Sequence, residues 1–170
     1  MNYRIKLSDF KELDSLKDYK KWLSDEEVFK HLPSETPKSS LDQIKKYIKL
    51  NNNSDSLFKP VIYKENNKHI GNLKIYNISK NEKFKSAEYS RFIGDRNYWG
   101  IGLGFELGML ALGYCFDNLE LDCVEAGCSV ENIAAVKSNK RLGFKEHIRI
   151  KNKEGKIIIR FKIMKEEFME

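Results

Sequence analysis

Apolar and polar residues alternate along Tyr3-Arg4-Ile5-Lys6-Leu7, the period-two pattern of a strand with one face on a core. The period then lengthens. Leu13, Leu16, Tyr19 and Leu23 recur at helical spacing, so one or two helices are expected across 10–31, after capping side chains at Ser8 and Asp9. Leu32-Pro33-Ser34-Glu35-Thr36-Pro37 reads as a loop, because each proline biases its predecessor away from helix. Ser40 is a candidate cap for another helix with the stripe Leu41, Ile44 and Ile48, closed by Asn51-Asn52-Asn53. Three strand-like runs follow, 57–63, 69–78 and 86–93, separated by polar turns at 65–68 and 80–83, which predicts an antiparallel meander.

Gly100-Ile101-Gly102-Leu103-Gly104 then opens a helix whose expected inner face carries Leu103, Leu107, Leu110 and Tyr114. A strand is expected over 121–128, a short helix over 132–141 and a strand over 144–150. The turn Glu154-Gly155 leads into a last strand with Ile157, Ile159, Phe161 and Ile163. The expected fold class is α/β: a mixed sheet with helices on its faces and a strand–helix–strand crossover between about 86 and 128.

Length and composition narrow this picture. A chain of 170 residues suits one domain, expected over 1–170. The net charge of +6 is spread along the chain, so it reads as a solvated surface, and neither a nucleic-acid nor a membrane partner is expected. Cys115, Cys123 and Cys128 lack metal-type spacing and fit reduced thiols, so no metal and a cytoplasmic location are expected. The N-terminus has no signal-peptide pattern.

Glycines alternating into a helix leave backbone N–H groups unpaired and unobstructed. The amides from Ile101 to Phe105 are thus able to wrap a pyrophosphate, the helix dipole favouring its charge; the alternative is a glycine-rich turn that serves packing. A Walker loop fails because Gly104 is followed by Phe105-Glu106, and a Rossmann fingerprint fails because Leu107 holds the place of its third glycine.

The string Asn97-Tyr98-Trp99-Gly100-Ile101-Gly102-Leu103-Gly104-Phe105-Glu106 resembles the cofactor loop of the GNAT superfamily of N-acetyltransferases, in its ribosomal-protein alanine acetyltransferase-like branch. Gly102 and Gly104 match the signature, and Trp99 stands where it begins with Arg or Gln. Asn132-Ile133-Ala134-Ala135 followed by Lys140-Arg141-Leu142-Gly143-Phe144 resembles a second block of that branch, at the family's usual separation. The resemblance implies a mostly antiparallel sheet of about seven strands, with a splayed parallel pair at 86–93 and 121–128. It also implies acetyl-CoA as co-substrate and direct acetyl transfer to a primary amine.

Site residues follow from the same resemblance. Ile93 and the loop Trp99, Gly100, Ile101, Gly102, Leu103, Gly104 and Phe105 are expected beside the cofactor. Asn132 is expected on its pantetheine arm or as a helix cap. Lys137, Lys140 and Arg141 are expected near its ribose phosphate, or as an ordinary charged helix face. Glu88, in Ala87-Glu88, matches a glutamate base of related enzymes. Partial burial would raise its pKa toward a useful value, and the alternatives are a solvent-facing residue or a partner for Arg91 or Arg96. Asn139 replaces the tyrosine that protonates the leaving thiolate in many members, which leaves Ser138 as the neighbouring hydroxyl. Trp22, Phe29, His31 and Leu32 are expected walls of the acceptor pocket, or core. The acceptor is expected to be a small-molecule or peptide amine, with an amino sugar or sugar nucleotide foremost; alternatives are protein N-termini and a non-catalytic acyl-CoA-binding module. A monomer or homodimer is expected.

Overall fold

The meander forms where the period-two runs predict it. In the computed structural model, which describes residues 2–10, 13–30, 32, 36–37, 40–79 and 83–169, β2 (Leu57–Tyr63), β3 (Lys68–Tyr76) and β4 (Ser86–Ile93) pair antiparallel in sequence order. β1 (Ile5–Leu7) adds to the outer edge of β2. The crossover helix α4 (Leu103–Gly113) carries the chain to β5 (Cys123–Ser129), which runs parallel to β4. After α5 (Ile133–Arg141), the hairpin of β6 (Lys145–Lys151) and β7 (Ile157–Met164) completes a seven-stranded sheet of order β1-β2-β3-β4-β5-β7-β6. The mixed sheet, mostly antiparallel with one parallel pair, has the strand number and the parallel pair expected above.

Alternation along the strands divides the core in two. Leu73, Ile75, Ala87, Tyr89, Val124 and Phe161 point to one face, where Leu103, Leu107 and Ala111 of α4 and Leu142 beyond α5 cover them. Phe58 and Phe92 point to the other face. There α1 (Leu13–Leu23), α2 (Glu26–Phe29) and α3 (Leu41–Leu50) contribute Leu16, Tyr19, Trp22, Leu23, Val28 and Ile44. The side chain of Leu13 lies outside the described residues, as does most of the turn expected at 80–83.

Three local readings differ from expectation. Ser40 occupies the N-cap of α3 but makes no side-chain capping bond. At the other end the asparagines do cap, donating from Asn51 to Tyr47 O (2.8 Å), Asn52 to Ile48 O (3.0 Å) and Asn53 to Leu50 O (2.9 Å). The buried stripe of α4 runs Leu103, Leu107, Ala111 and then Cys115, because the chain widens into a π-turn over Tyr114–Asn118; Leu110 and Tyr114 are only half buried. A short helix α6 (Lys165–Met169), not expected from the pattern, follows β7.

β4 ends where Gly94 N–H and Asp95 N–H both donate to Ile70 O (2.8 and 3.1 Å). Trp22, expected as a pocket wall, packs here instead. It is 5% exposed, and a Cβ on Gly94 would lie 2.2 Å from its ring. Gly94→Ala must therefore displace the indole, and it is expected to lower stability by about 1–3 kcal/mol, the usual range for overpacking. Urea denaturation measures this, with an unchanged midpoint as the contrary result.

Candidate active site

The parallel ladder between β4 and β5 is short. Ser86 to Tyr89 register against Cys123 to Ala126, after which β4 stays with β3 and β5 stays with β7. The backbone edges of 90–93 and 127–129 thus lose each other as partners, and buried backbone groups in that condition demand a substitute. A cavity of about 460 Å³ opens at this split, lined by Tyr89, Arg91, Ile93, Gly127 and Cys128 of the two strands.

The glycine loop closes one end of that cavity. Asp95 accepts from Asn97 N–H (3.0 Å) and starts a single 3-10 turn over Arg96–Tyr98. The chain then reverses through Gly100 (φ +77°) and Gly102 (φ +87°), left-handed conformations that favour glycine. Gly102 is the N-cap of α4 and makes no side-chain cap, so the helix leaves the N–H groups of Leu103, Gly104 and Phe105 without intrahelical partners. Arg4, just before β1, braces the loop, with its guanidinium donating to Glu106 (2.9 Å) and to Ile101 O (3.0 Å) and its own amide donating to Glu106. Neutralising Glu106 in this way removes an acidic charge from the anion-attracting end of α4. Open amides, a helix N-terminus and an unpaired strand edge beside one cavity are the donor set that a diphosphate and a chain of amides require.

Trp99, Gly100, Gly102, Leu103 and Gly104 line this cavity, together with Ile93 and Asn132. The Trp99 indole N–H donates to Ile93 O (2.7 Å), pinning the half-exposed ring across the end of β4. Asn132 caps α5 by accepting from Ala135 N–H (3.1 Å). Ile101, Phe105, Lys137, Lys140 and Arg141 flank the cavity without lining it; the Arg141 guanidinium stacks on Phe105, 4.1 Å from the ring centre.

Sequence reasoning missed the residue that organises the interior. Arg91 donates to Gly104 O in the first turn of α4 (3.1 Å), to Asn139 Oδ1 (3.2 Å) and to Ser138 Oγ (2.9 Å) on α5. It lies over the Tyr89 ring, and the Tyr89 hydroxyl donates to the same Asn139 oxygen (3.5 Å). Its signal was present in the alternation: Ala87, Tyr89, Arg91 and Ile93 share a face, so an arginine interrupts an otherwise apolar side. Among the described lining residues of this cavity, Arg91 is the only cation. Cys128 stands nearby, and burial pushes its thiol up to about 11, against the opposing charge of Arg91.

A second cavity of about 330 Å³ lies on the helical face of α1–α3, walled by Tyr19, Tyr47, Phe58, Asn72, Lys74, Tyr76 and Asn77. Ser90, Phe92 and Leu32 line both cavities, so the two meet across β4. Phe29 packs with the α1–α3 core and lines neither, and His31 lies outside the described residues.

Glu88 sits behind the wall of this second cavity. Its carboxylate accepts from Arg160 Nη1 (2.7 Å), Asn77 Nδ2 (2.9 Å) and the Tyr76 hydroxyl (3.2 Å), while Arg160 also reaches Glu125 (3.1 Å). The expected rise in its pKa is not found. Burial does push the carboxyl up, but the Arg160 and Asn77 hydrogen bonds, the Arg160 charge and Tyr76 together outweigh it and hold the pKa below the usual glutamate value.

The fold and site together define an acetyltransferase. The model of the acetyltransferase (GNAT) domain matches residues 4–145, so this chain belongs to the GNAT family of acetyl-CoA-dependent N-acetyltransferases. Among solved structures it is similar to spermidine N-acetyltransferase from Vibrio cholerae in complex with CoA and spermine (19% identity, 98% of this chain and 99% of that one, TM-score 0.82). A dodecameric structure of spermidine N-acetyltransferase from Vibrio cholerae is also similar (21% identity, 98% and 96% coverage, TM-score 0.77). So is a GNAT-family acetyltransferase from Bacillus anthracis (17% identity, 98% of each chain, TM-score 0.80). No curated protein matches the sequence. Among the described residues, no helix is long and apolar enough to cross a membrane.

The lowered pKa of Glu88 makes a stability prediction. Its contribution is fully present above the ordinary glutamate value of about 4.3 and is lost as pH falls through the lower native value. Glu88→Gln is therefore expected to cost about 1.5–3 kcal/mol at pH 7, the range for hydrogen bonds to a charged group. The gap between the thermal melts of the two proteins should narrow as pH falls from 7 to 3; a gap that stays constant over that range would remove the ion pair as the cause.

Proposed function

We propose that the chain moves acetyl from acetyl-CoA directly to a primary amine of a small molecule, with an amino sugar or sugar nucleotide as the acceptor class. The observation that carries this reading is the junction of the two cavities across β4. A thioester laid along the split strands from the glycine loop and an amine held among the aromatic rings would converge at Ser90 and Phe92. The loop from Trp99 to Gly104 takes the diphosphate, Ile93 and Asn132 the pantetheine arm, and Arg141 with Lys137 and Lys140 the outer phosphate.

In the transfer a neutral amine nitrogen bonds to the acetyl carbon, the carbon–sulfur bond breaks, and its electron pair leaves on sulfur. The described chain lacks a tyrosine at position 139, and Arg91 answers the need in another way. Its guanidinium, fixed by Ser138, Asn139 and Gly104, offsets the thiolate charge, and the Ser138 hydroxyl, which accepts from Arg91, has its own O–H to hydrogen-bond the sulfur until the thiolate takes up the proton that the acylated nitrogen releases. A covalent acetyl-cysteine route is unfavourable, because a Cys128 thiol near 11 holds almost no thiolate at neutral pH.

Glu88 takes a different part from that of a direct base. A carboxylate held below its ordinary pKa is a poor acceptor for the proton of an ammonium near 10. It acts as a positioning residue, presenting its charge through Tyr76 and Asn77 to the amine, whose proton leaves to solvent. Glu88→Gln should then lower kcat/KM mainly through the amine KM and leave the acid limb of the pH profile at the amine's own ionisation; a shifted limb would restore Glu88 as the base.

Release of free thiol from acetyl-CoA, measured with amino sugars, polyamines and alanine-starting peptides, tests the reaction itself. Acetyl-CoA binding without thiol release on any amine would overturn it. Arg91→Met is expected to reduce kcat by about 100-fold, the scale of one lost charge-stabilising group, with partial recovery in Arg91→Lys and little change in acetyl-CoA affinity. Equal loss in both parameters would assign Arg91 to holding α4 against α5 only.

A further inference from the structure

Asn72 is 1% exposed on the central strand β3, lines the second cavity, and its side-chain Nδ2 is the buried polar atom without a partner among the described residues. Buried amides are nearly always satisfied, so an orphaned pair of donors calls for a cause. The amide cannot turn round to satisfy them. His69 Nε2 lies 2.9 Å from Gly71 O and 2.9 Å from Asn72 Oδ1. A backbone carbonyl only accepts, so Nε2 must carry the hydrogen, and the Asn72 atom facing it must be oxygen. His69 is itself clamped, 4% exposed, between the rings of Trp22 (4.7 Å) and Phe10 (6.0 Å).

This pairing depends on an irregularity in the sheet. Residues three apart on a regular strand point to opposite faces. The β2–β3 register shifts between Val61 and Ile62, placing Val61 opposite Gly71 but Ile62 opposite His69. The extra residue turns His69 onto the face that Asn72 shares with Phe92 and Lys74. A bulge, a buried histidine and two aromatic rings thus serve to hold one carboxamide with its N–H groups unpaired.

We propose that Asn72 is the specificity-determining donor of the acceptor cavity, recognising an oxygen atom of the amine substrate and so selecting hydroxyl-bearing amines of the amino-sugar kind over polyamines. The inference rests on the acetyl-transfer reading above and deepens it. A protonated polyamine offers N–H and C–H groups only, and has no lone pair to accept from Asn72. Such a ligand would bury donor against donor, beside Lys74, whose ammonium donates to the Tyr47 hydroxyl (3.2 Å) in the same wall. A hydroxyl or carbonyl oxygen satisfies the amide, and sites built around such a bond reject analogues that lack it.

The test uses matched probes: trans-2-aminocyclohexanol, cyclohexylamine and spermidine, with acetyl-CoA and thiol release as the readout. The wild-type protein should favour the amino alcohol over cyclohexylamine in kcat/KM by about ten-fold or more, the scale of leaving a buried donor unpaired, and should favour it over spermidine. Asn72→Asp keeps the shape, replaces the donor by an acceptor, and should abolish that preference with unchanged acetyl-CoA affinity. Equal use of the two ring amines by wild type, a preference for spermidine, or a preference retained in Asn72→Asp would overturn the proposal. The wild-type comparison needs no variant, so it stands even if Asn72→Asp does not fold. Should acetyl-CoA bind without thiol release on any amine, the transfer reading fails separately. Calorimetric binding of the same amines to the CoA-loaded protein then decides on Asn72 by the same ratio, with no binding counting against it.

Discussion

Four residues of parallel pairing between β4 and β5, and then none, is the constraint on which the rest of the molecule depends. Each strand keeps its antiparallel partner, β3 on one side and β7 on the other, so the sheet stays whole while its middle opens. The opening has to be held. At its apex the Tyr89 ring stacks on Phe144, 5.4 Å between centres and nearly parallel, and Arg91 ties the first turn of α4 to Ser138 and Asn139 of α5. These contacts prop the two helices over the split instead of letting the strands zip together. The unpaired edges border the cavity with backbone groups that are costly to leave unsatisfied.

The open sheet also separates two electrostatic environments. Among the described residues lining the cavity on the α4–α5 side, Arg91 is the one guanidinium, set among apolar side chains and backbone amides, which suits an anionic diphosphate and a departing thiolate. On the α1–α3 side, Glu88, Glu125 and Arg160 form a cluster bordered by Tyr76 and Asn77, and beyond them lies a wall of rings and amides. The strand carrying Glu88, Tyr89, Ser90 and Arg91 therefore faces alternate residues to alternate tasks. Period-two geometry by itself turns Tyr89 and Arg91 toward one cavity and Glu88 toward the wall of the other.

The features legible in the sequence were those set by short-range rules. Strand periodicity located β2 and β4 to the residue, and alternating glycines located the start of α4, because both depend on neighbours within a few positions. What escaped was set by register and distance. Glu88 and Arg160 are 72 positions apart, and nothing local to Glu88 announces an arginine that reverses the expected direction of its pKa. Trp22 looked like a pocket wall because its helix borders one, but the approach of Gly94 beneath it is a tertiary fact. The link between His69 and Asn72 was hidden for a related reason: strict alternation puts them on opposite faces, and only the bulge reunites them.

The two halves of the site also differ in how much a structural likeness can say about them. The cavity beside the glycine loop is bordered largely by main chain: loop amides, two left-handed glycines and the free edges of strands. Such groups are nearly independent of side-chain identity and depend on the fold, which is shared with the spermidine enzyme at 19% identity. The second cavity is walled by side chains, including Tyr19, Tyr47, Asn72, Lys74 and Tyr76. Four-fifths of all positions differ from the spermidine enzyme, so its acceptor does not transfer with the fold. Acceptor choice rests on the groups this chain presents, and the clearest of them is the Asn72 carboxamide, whose oxygen is fixed by a buried histidine and whose donors have no partner among the described residues.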